Sequence, residues 1–473
     1  MLCGFVISAC RKLNILKEKI GEAQYIPSNS TTPLRIPINF NCTIFFIVPK
    51  SAYLRVSVLN SLANRDYIEF TDSLGYVRRL TSAAIANEEL FATTGQGHLR
   101  IVTGPVGNSK ALLLFEWIRL PTSSRCSELK KNASGQNVDL NSILQEPITF
   151  KAVESHERVA LTIAHSGYIL DHFDSFFIFD GPDTDSNVVG RMSDHIIVPY
   201  VATNQSVTVV GLTSLIVYSN LMANIESNIV GFRKYESAVI IDQQGTIIDS
   251  INQTIAVTFI AKDGNELYMT YLKFNEIEND KCAIRAISGT PSPISRDLVT
   301  YTTTDSLQSI VPQQFPASLF SIIVTDCSIY IVISKNRPDD FYNVQSGRIG
   351  YAFTPSYLDR ALTSDMNFTL VSNVTLTYST VVEYVNVFDD EQLSINVFNS
   401  RNVSAMSMIV TGNQTGGSAR GTGTSASISF YGTKQNDQKG AAKVKYYLSN
   451  NPCSYYHLSL TYLIFIIISL FVL

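Results

Sequence analysis

Apolar and polar residues alternate along most of this chain in short runs, the two-residue period of strands with one face buried. Residues 53–59 (YLRVSVL), 99–102 (LRIV) and 207–210 (VTVV) show it. Such runs return every 8–12 residues between turn residues, and helical periods are few, so the pattern predicts an all-β chain of sandwiches. Residues 254–261 (TIAVTFIA) and 266–272 (ELYMTYL) flank Asp263-Gly264, which predicts a hairpin closed by a tight turn. Residues 321–324 and 329–333 add strands around Cys327, and 367–447 hold seven more apolar runs, from FTLV to VKYYL. The Gly/Ser/Thr-rich stretch 411–424 within that block predicts a long loop or flexible insertion.

The strands repeat with a period of about 108 residues, too long for a solenoid unit, so the repeat reads as a domain duplication. Residues 66–72 (DYIEFTD), 92–95 (ATTG) and 99–102 reappear in order as 174–180 (DSFFIFD), 202–204 (ATN) and 207–210. Residues 121–136 (PTSSRCSELKKNASGQ) have the composition of a linker. The expected organisation is a signal-like segment at 1–25, sandwiches at 26–125 and 137–236, β-rich domains at 237–353 and 354–450, and an apolar tail at 451–473.

That tail changes the picture. Residues 458–473 (LSLTYLIFIIISLFVL) are almost wholly apolar, slightly short for a spanning helix, and no basic residue follows them. A polar stretch with small residues, 449–457, precedes them. This is the arrangement of a glycosylphosphatidylinositol signal, with Ser449 as the attachment site; a short transmembrane helix is the alternative. Either reading places the bulk of the chain outside the cell or in a lumen. Residues 1–10 are a short apolar core with no basic residue before it, an atypical leader.

Seven cysteines fit the same compartment. Setting aside Cys3, Cys10 and Cys453 at the two ends leaves Cys42, Cys126, Cys282 and Cys327, whose simplest pairing is Cys42–Cys126 and Cys282–Cys327. Nine Asn-x-Ser/Thr sites are spread over the chain, at Asn29, Asn41, Asn132, Asn204, Asn252, Asn367, Asn373, Asn402 and Asn413. About six would arise by chance at this composition, so the excess is modest. Only 16% of residues are charged and the net charge is −4. No basic cluster suits nucleic acid.

The run 174–183 (DSFFIFDGPD) resembles the D-x-L-x-I-x-D-G-P core of CUB domains, and Gly231-Phe232 resembles the closing Gly-Phe of their last strand. The wording FFIFDGPDTDSNVVG is more similar still to the CUB-like domains of nematode secreted and membrane-anchored proteins. The first copy keeps the frame as DYIEFTDS without the Gly-Pro. The resemblance covers roughly residues 26–236 and implies tandem jelly-roll β-sandwiches that bind extracellular ligands without catalysis. It also implies a calcium site, for which Asp174 holds a ligand position. The two other positions are Ser166 and Asn224, so such a site is incomplete. Turn chemistry is the competing role of Asp174, Asp180, Asp66 and Asp72.

No catalytic motif is evident. His156, His165, His172 and His195 match no metal-binding spacing. The acid pairs Asp183/Asp185 and Asp339/Asp340 have the chemistry of a glycosidase, but adjacent acids in turns are commonly just solvated. Trp117 ends an apolar run and reads as core. The expected function is therefore a non-enzymatic, surface-anchored binding or adhesion protein that recognises protein or glycan ligands, with epithelial defence implied by the family resemblance. Loops such as 181–187 are the expected contact. A secreted hydrolase with its site in 237–450 and a structural coat component are the alternatives.

Overall fold

The computed structural model describes residues 15–450 except 17–19, 29, 82–85, 123, 145, 168–172, 214–217, 278–281, 340, 389–390, 414 and 432–438. The chain is all-β and divides into two compact units, the first ending near Ser227.

The first unit holds both repeats. One sheet of the first repeat has the strand order Ile15–Leu16, Asn41–Val48, Gly95–Val102, Tyr67–Thr71, Val77–Leu80. The corresponding sheet of the second runs Arg125–Leu129, Ile148–Ala152, Ser206–Gly211, Phe176–Asp180, Asn187–Arg191. The order is the same strand for strand, and each begins with a parallel pair. The facing sheets correspond as well: Lys110–Arg119 lies between Ala23–Ile26 and Ala52–Ser61, as Asn220–Ile225 lies between Gln136–Asp139 and Val159–His165.

Alternation explains the first core. Cys42, Ile44, Phe46 and Val48 point inward from one strand to meet Leu113, Phe115 and Trp117 of the other sheet. Burying a side chain of this size stabilises by about 1.5–3 kcal/mol. The strand Phe176–Asp180 uses both faces. Phe176 and Ile178 enter the second core, whereas Phe177 and Phe179 pack against Tyr53, Phe91 and Leu120 of the first repeat.

Several expected boundaries are corrected here. Ile15–Leu16 and Ala23–Ile26, expected in the signal-like segment 1–25, are strands of the first repeat. The expected linker 121–136 contains Arg125–Leu129 and the start of Gln136–Asp139, the first two strands of the second repeat. Polar composition hid them because they are edge strands, largely exposed. Gly231-Phe232 falls in the second unit, in a turn before Lys234–Ile240, so it closes no strand of the second repeat.

In the second unit, Lys234–Ile240, Thr254–Ala261, Leu319–Thr325, Ala283–Ser288 and Asp297–Thr302 form one layer. Gln243–Asp249, Cys327–Ser334, Leu267–Ile277 and Gln313–Phe315 form the other, over a shared core. The expected hairpin at Asp263-Gly264 is not made. Thr254–Ala261 pairs with Lys234–Ile240 and Leu319–Thr325, and Leu267–Ile277 pairs in the opposite layer. The turn instead carries the chain from one layer to the other.

A six-stranded sheet completes the unit, ordered Ile349–Phe353, Ala441–Ser449, Met366–Asn386, Ser418–Tyr431, Gln392–Phe398, Ser404–Val410. Ser418–Tyr431 occupies much of the Gly/Ser/Thr-rich stretch expected to be a loop. Its glycines are there for close approach: a Cβ on Gly423 would collide with the Phe398 carbonyl oxygen of the neighbouring strand.

Candidate functional site

Strand Phe176–Asp180 delivers an acidic turn to one end of the second repeat. The Asp180 carboxylate accepts from Thr203 N at 3.1 Å and Thr203 Oγ1 at 2.5 Å, tying the turn to the chain beside Asn204. Asp183 Oδ1 accepts from Asp185 N at 3.0 Å and Ser186 Oγ at 2.9 Å, an Asx-type turn. Gly181 is required by crowding, since a Cβ would collide with the Ser186 side chain. The result is a fixed, shallow depression of about 430 Å³ whose lining includes Asp180, Pro182, Ser186, Asn187, Asn204 and Gln205. Amides, hydroxyls and one carboxylate suit hydrogen bonding to a hydrophilic ligand. Burial, reinforced by the Asp180 charge, pushes the Tyr200 hydroxyl pKa well above its ordinary value.

Asp174 lies at the junction of the repeats. Its carboxylate Oδ2 accepts from the Tyr76 hydroxyl, and its carbonyl accepts from Arg191 Nη1. Burial and then the Asp174 charge raise the Tyr76 pKa, so the phenol keeps its proton and donates. Arg191 Nη2 reaches Asp72 Oδ2 at 2.5 Å and the Phe91 carbonyl at 2.6 Å. Its guanidinium stacks between the Tyr76 and Phe177 rings, 4.1 and 4.3 Å from their centroids. Both side chains of the Arg191–Asp72 pair are almost inaccessible, at 1% and 0% exposed. Asp72 Oδ1 meanwhile accepts from Leu74 N and Tyr76 N, each at 2.9 Å, holding its own turn.

The calcium arrangement implied for Asp174 is not assembled. Asn224 pairs with Ala160, whereas Ser166 lies six residues further along that strand direction. At the rise of an extended chain that is about 20 Å, too far for one ion. Asp66 is buried and accepts from Gly104 N and Ser109 Oγ, which fixes a turn. Among the described residues no three His, Cys, Asp or Glu side chains converge. His156 is near Glu157, His165 Nδ1 accepts from Gly167 N, and His195 packs edge-on against Tyr200. His172 lies outside the described residues.

Cys282 and Cys327 form a disulfide, joining the two facing layers of the second unit. Its sequence separation of 45 makes it worth about 4 kcal/mol in the chain-entropy account. The Cys42–Cys126 pairing is corrected: Cys126 is a free, exposed thiol, and Cys42 is disulfide-bonded and buried. Cys42 points into the first core, whereas Cys126 is on a strand of the second repeat. Asn41, Asn132, Asn204, Asn252, Asn367, Asn373, Asn402 and Asn413 all have exposed side chains; Asn29 lies outside the described residues. Asp339 is exposed, and Asp340 lies outside the described residues. Trp117 is in the first core, donating from Nε1 to the Ile47 carbonyl at 3.0 Å. Ser449 ends strand Ala441–Ser449; the tail 451–473 lies outside the described residues. No described helix is long and apolar enough to cross a membrane.

Sequence reasoning missed Arg191 and Tyr76. Arginine is usually exposed, and nothing in NVVGRM announces that this one is buried. The run FFIF was the available signal, since four consecutive large apolar residues need cover on both faces.

Comparison with known proteins bears on the first repeat. Residues 7–121 match the family described as CUB-like domain. No curated protein has a matching sequence. Among solved structures, the CUB1–EGF–CUB2 domains of human MASP-1/3 align at 12% identity and TM-score 0.18, covering 43% of this chain and 99% of that one. Those of rat MASP-1 align at 11% identity and TM-score 0.16, covering 43% and 97%. The extracellular region of zebrafish Gpr126/Adgrg6 aligns at 7% identity and TM-score 0.19, covering 91% and 52%. CUB domains are in general extracellular modules for binding other proteins, and are not enzymes. The match falls on the first repeat, the motif on the second, and the shared strand order relates the two. What the chain shows is therefore similarity to the CUB-like domain family over residues 7–121.

Proposed function

We propose that this protein is a glycosylated, lipid-anchored binding protein of the outer cell surface, which captures protein or glycan ligands in epithelial defence and catalyses no reaction. The observation that carries this reading is the CUB-like match at 7–121. Seven exposed Asn-x-Ser/Thr sequons outside the depression that Asn204 lines, and the Cys282–Cys327 disulfide, support an oxidising, extracellular setting. Ligand contact is made by the turn 181–187, which is rigid, polar and open. The lipid joins Ser449 at the end of the last strand, so the anchor follows the sheet directly.

Capture tests this. Cells displaying the full chain are offered a library of epithelial surface proteins and glycans, beside cells in which 182–187 are replaced by a Gly/Ser loop of equal length. Capture by the parent and its loss in the loop variant, with surface display equal, is the expected result. Undiminished capture by the variant contradicts the assignment of this turn.

A further inference from the structure

The second unit contains a pocket unrelated to the acidic turn. It has a volume of about 280 Å³ and is lined by Arg296, Arg360 and Lys439 together with Tyr384, Phe388 and Asn386. That size is at the small end of ligand sites and holds a single sugar ring or an organic anion of similar bulk. Three cations and two rings around one concavity is an unusual lining for a surface with so little charge.

Among the described residues, the cations are not offset by acids. Among the described residues no carboxylate pairs with any of the three; Asp389 and Asp390, which follow Phe388 in sequence, lie outside the described residues. The nearby acids are committed elsewhere. Asp297 binds Arg285 at 2.6 Å, and Glu383 binds Lys443 at 2.9 Å. Glu391 is buried and accepts from Gly440 N and Phe388 N at 3.0 Å and from Ser364 Oγ at 3.2 Å. Its role is to fix the two walls carrying Phe388 and Lys439.

Two of the cations are also held in place. Arg296 lies 4.9 Å over the Tyr357 ring and 5.4 Å from that of Tyr384, and donates from Nη1 to the Tyr357 carbonyl at 3.1 Å. Lys439 Nζ donates to the Ala361 carbonyl at 2.8 Å. Each keeps further N–H donors for a ligand. A preorganised guanidinium favours a planar or tetrahedral oxyanion. Tyr384 and Phe388, both half-buried, line the pocket with aromatic carbon of the kind that packs on the apolar face of a pyranose.

We propose that this pocket binds one acidic sugar residue, its carboxylate or sulfate held by Arg296, Arg360 and Lys439 and its ring packed on Tyr384 and Phe388. This goes beyond the proposed function: it needs neither the turn 181–187 nor the CUB-like domain.

The full chain, solubilised in detergent, is titrated by saturation-transfer NMR with N-acetylneuraminic acid, glucuronic acid, galactose 6-sulfate and neutral galactose, and inorganic sulfate, which has no protons to observe, is titrated as a competitor of the bound sugar. The acidic sugars are expected to bind, neutral galactose not, and the three acids separate carboxylate from sulfate as the preferred group. Arg360 and Lys439 are exposed, so R360Q and K439Q should leave the fold intact, checked by circular dichroism. Each is expected to weaken binding about tenfold, with K439R restoring most of it. Equal binding of galactose and the acids, sulfate as tight as the sugars, or affinity unchanged in folded R360Q/K439Q would each overturn the proposal.

Discussion

Arg191 joins the two repeats in the first unit, and replacing it with methionine has a consequence that can be sized. The substitution keeps the bulk between the Tyr76 and Phe177 rings and removes the charge. Asp72 is then left inaccessible to water with no cation, and the Phe91 and Asp174 carbonyls lose a donor. Removing one partner of a buried ion pair costs about 3–5 kcal/mol, a fifth or more of the stability of an ordinary domain. The chain contains one tryptophan, Trp117, buried in the first core. Its fluorescence therefore reports unfolding of the first repeat, even where the whole protein unfolds in several steps. With a urea dependence of about 2 kcal/mol per molar, the Trp117 midpoint should fall by about 2 M. The D72N/R191M double variant should recover part of that loss, because the amide strands no charge and still accepts from Leu74 N and Tyr76 N. A midpoint unchanged in R191M, or costs of R191M and D72N that simply add, would refute the reasoning.

Other outcomes follow from the same geometry. Iodoacetamide on the native protein should label Cys126 and leave Cys282 and Cys327 unlabelled until reduction, as peptide mass mapping would show. Gly423→Ala forces a Cβ into the Phe398 carbonyl and should cost about 1–3 kcal/mol, a drop of several degrees by scanning fluorimetry. Gly412→Ala, where nothing lies within 4 Å, is the control. Burial holds the His195 pKa below its ordinary value, against the opposing effects of the Val198 carbonyl and Asp194. The unfolded chain thus binds the extra proton first, so His195's contribution to stability is complete above about pH 6.5 and lost as the pH falls towards its folded midpoint. A proton NMR titration of its ring placing that midpoint at or above 6.5 would contradict this.

How much was legible in the sequence depended on which neighbour each residue has. The all-β class and the duplication were readable, because alternation such as YLRVSVL and the recurrence of DYIEFTD as DSFFIFD are local signals. The repeat ends were not: Arg125–Leu129 and Gln136–Asp139 are exposed edge strands with linker-like composition. Asp263-Gly264 has the chemistry of a hairpin turn, but strand partners are chosen by cross-strand packing hundreds of atoms away. The glycines near 421–423 read as looseness and serve close strand approach. The turn roles of Asp180 and Asp183 could be read from Asp-Gly-Pro-Asp. The pocket of Arg296, Arg360 and Lys439 could not, since it gathers residues up to 143 apart in sequence.

The central claim is that this is an anchored, glycosylated surface protein, and enzymatic release tests it most directly. Full-length chain bearing a tag in a loop of the second unit is expressed in animal cells, and intact cells are treated with phosphatidylinositol-specific phospholipase C. The account predicts release of tagged protein that shifts in mass on removal of N-glycans. Tagged protein that stays inside the cell without glycans would contradict it outright, and surface protein that resists release would contradict the lipid anchor.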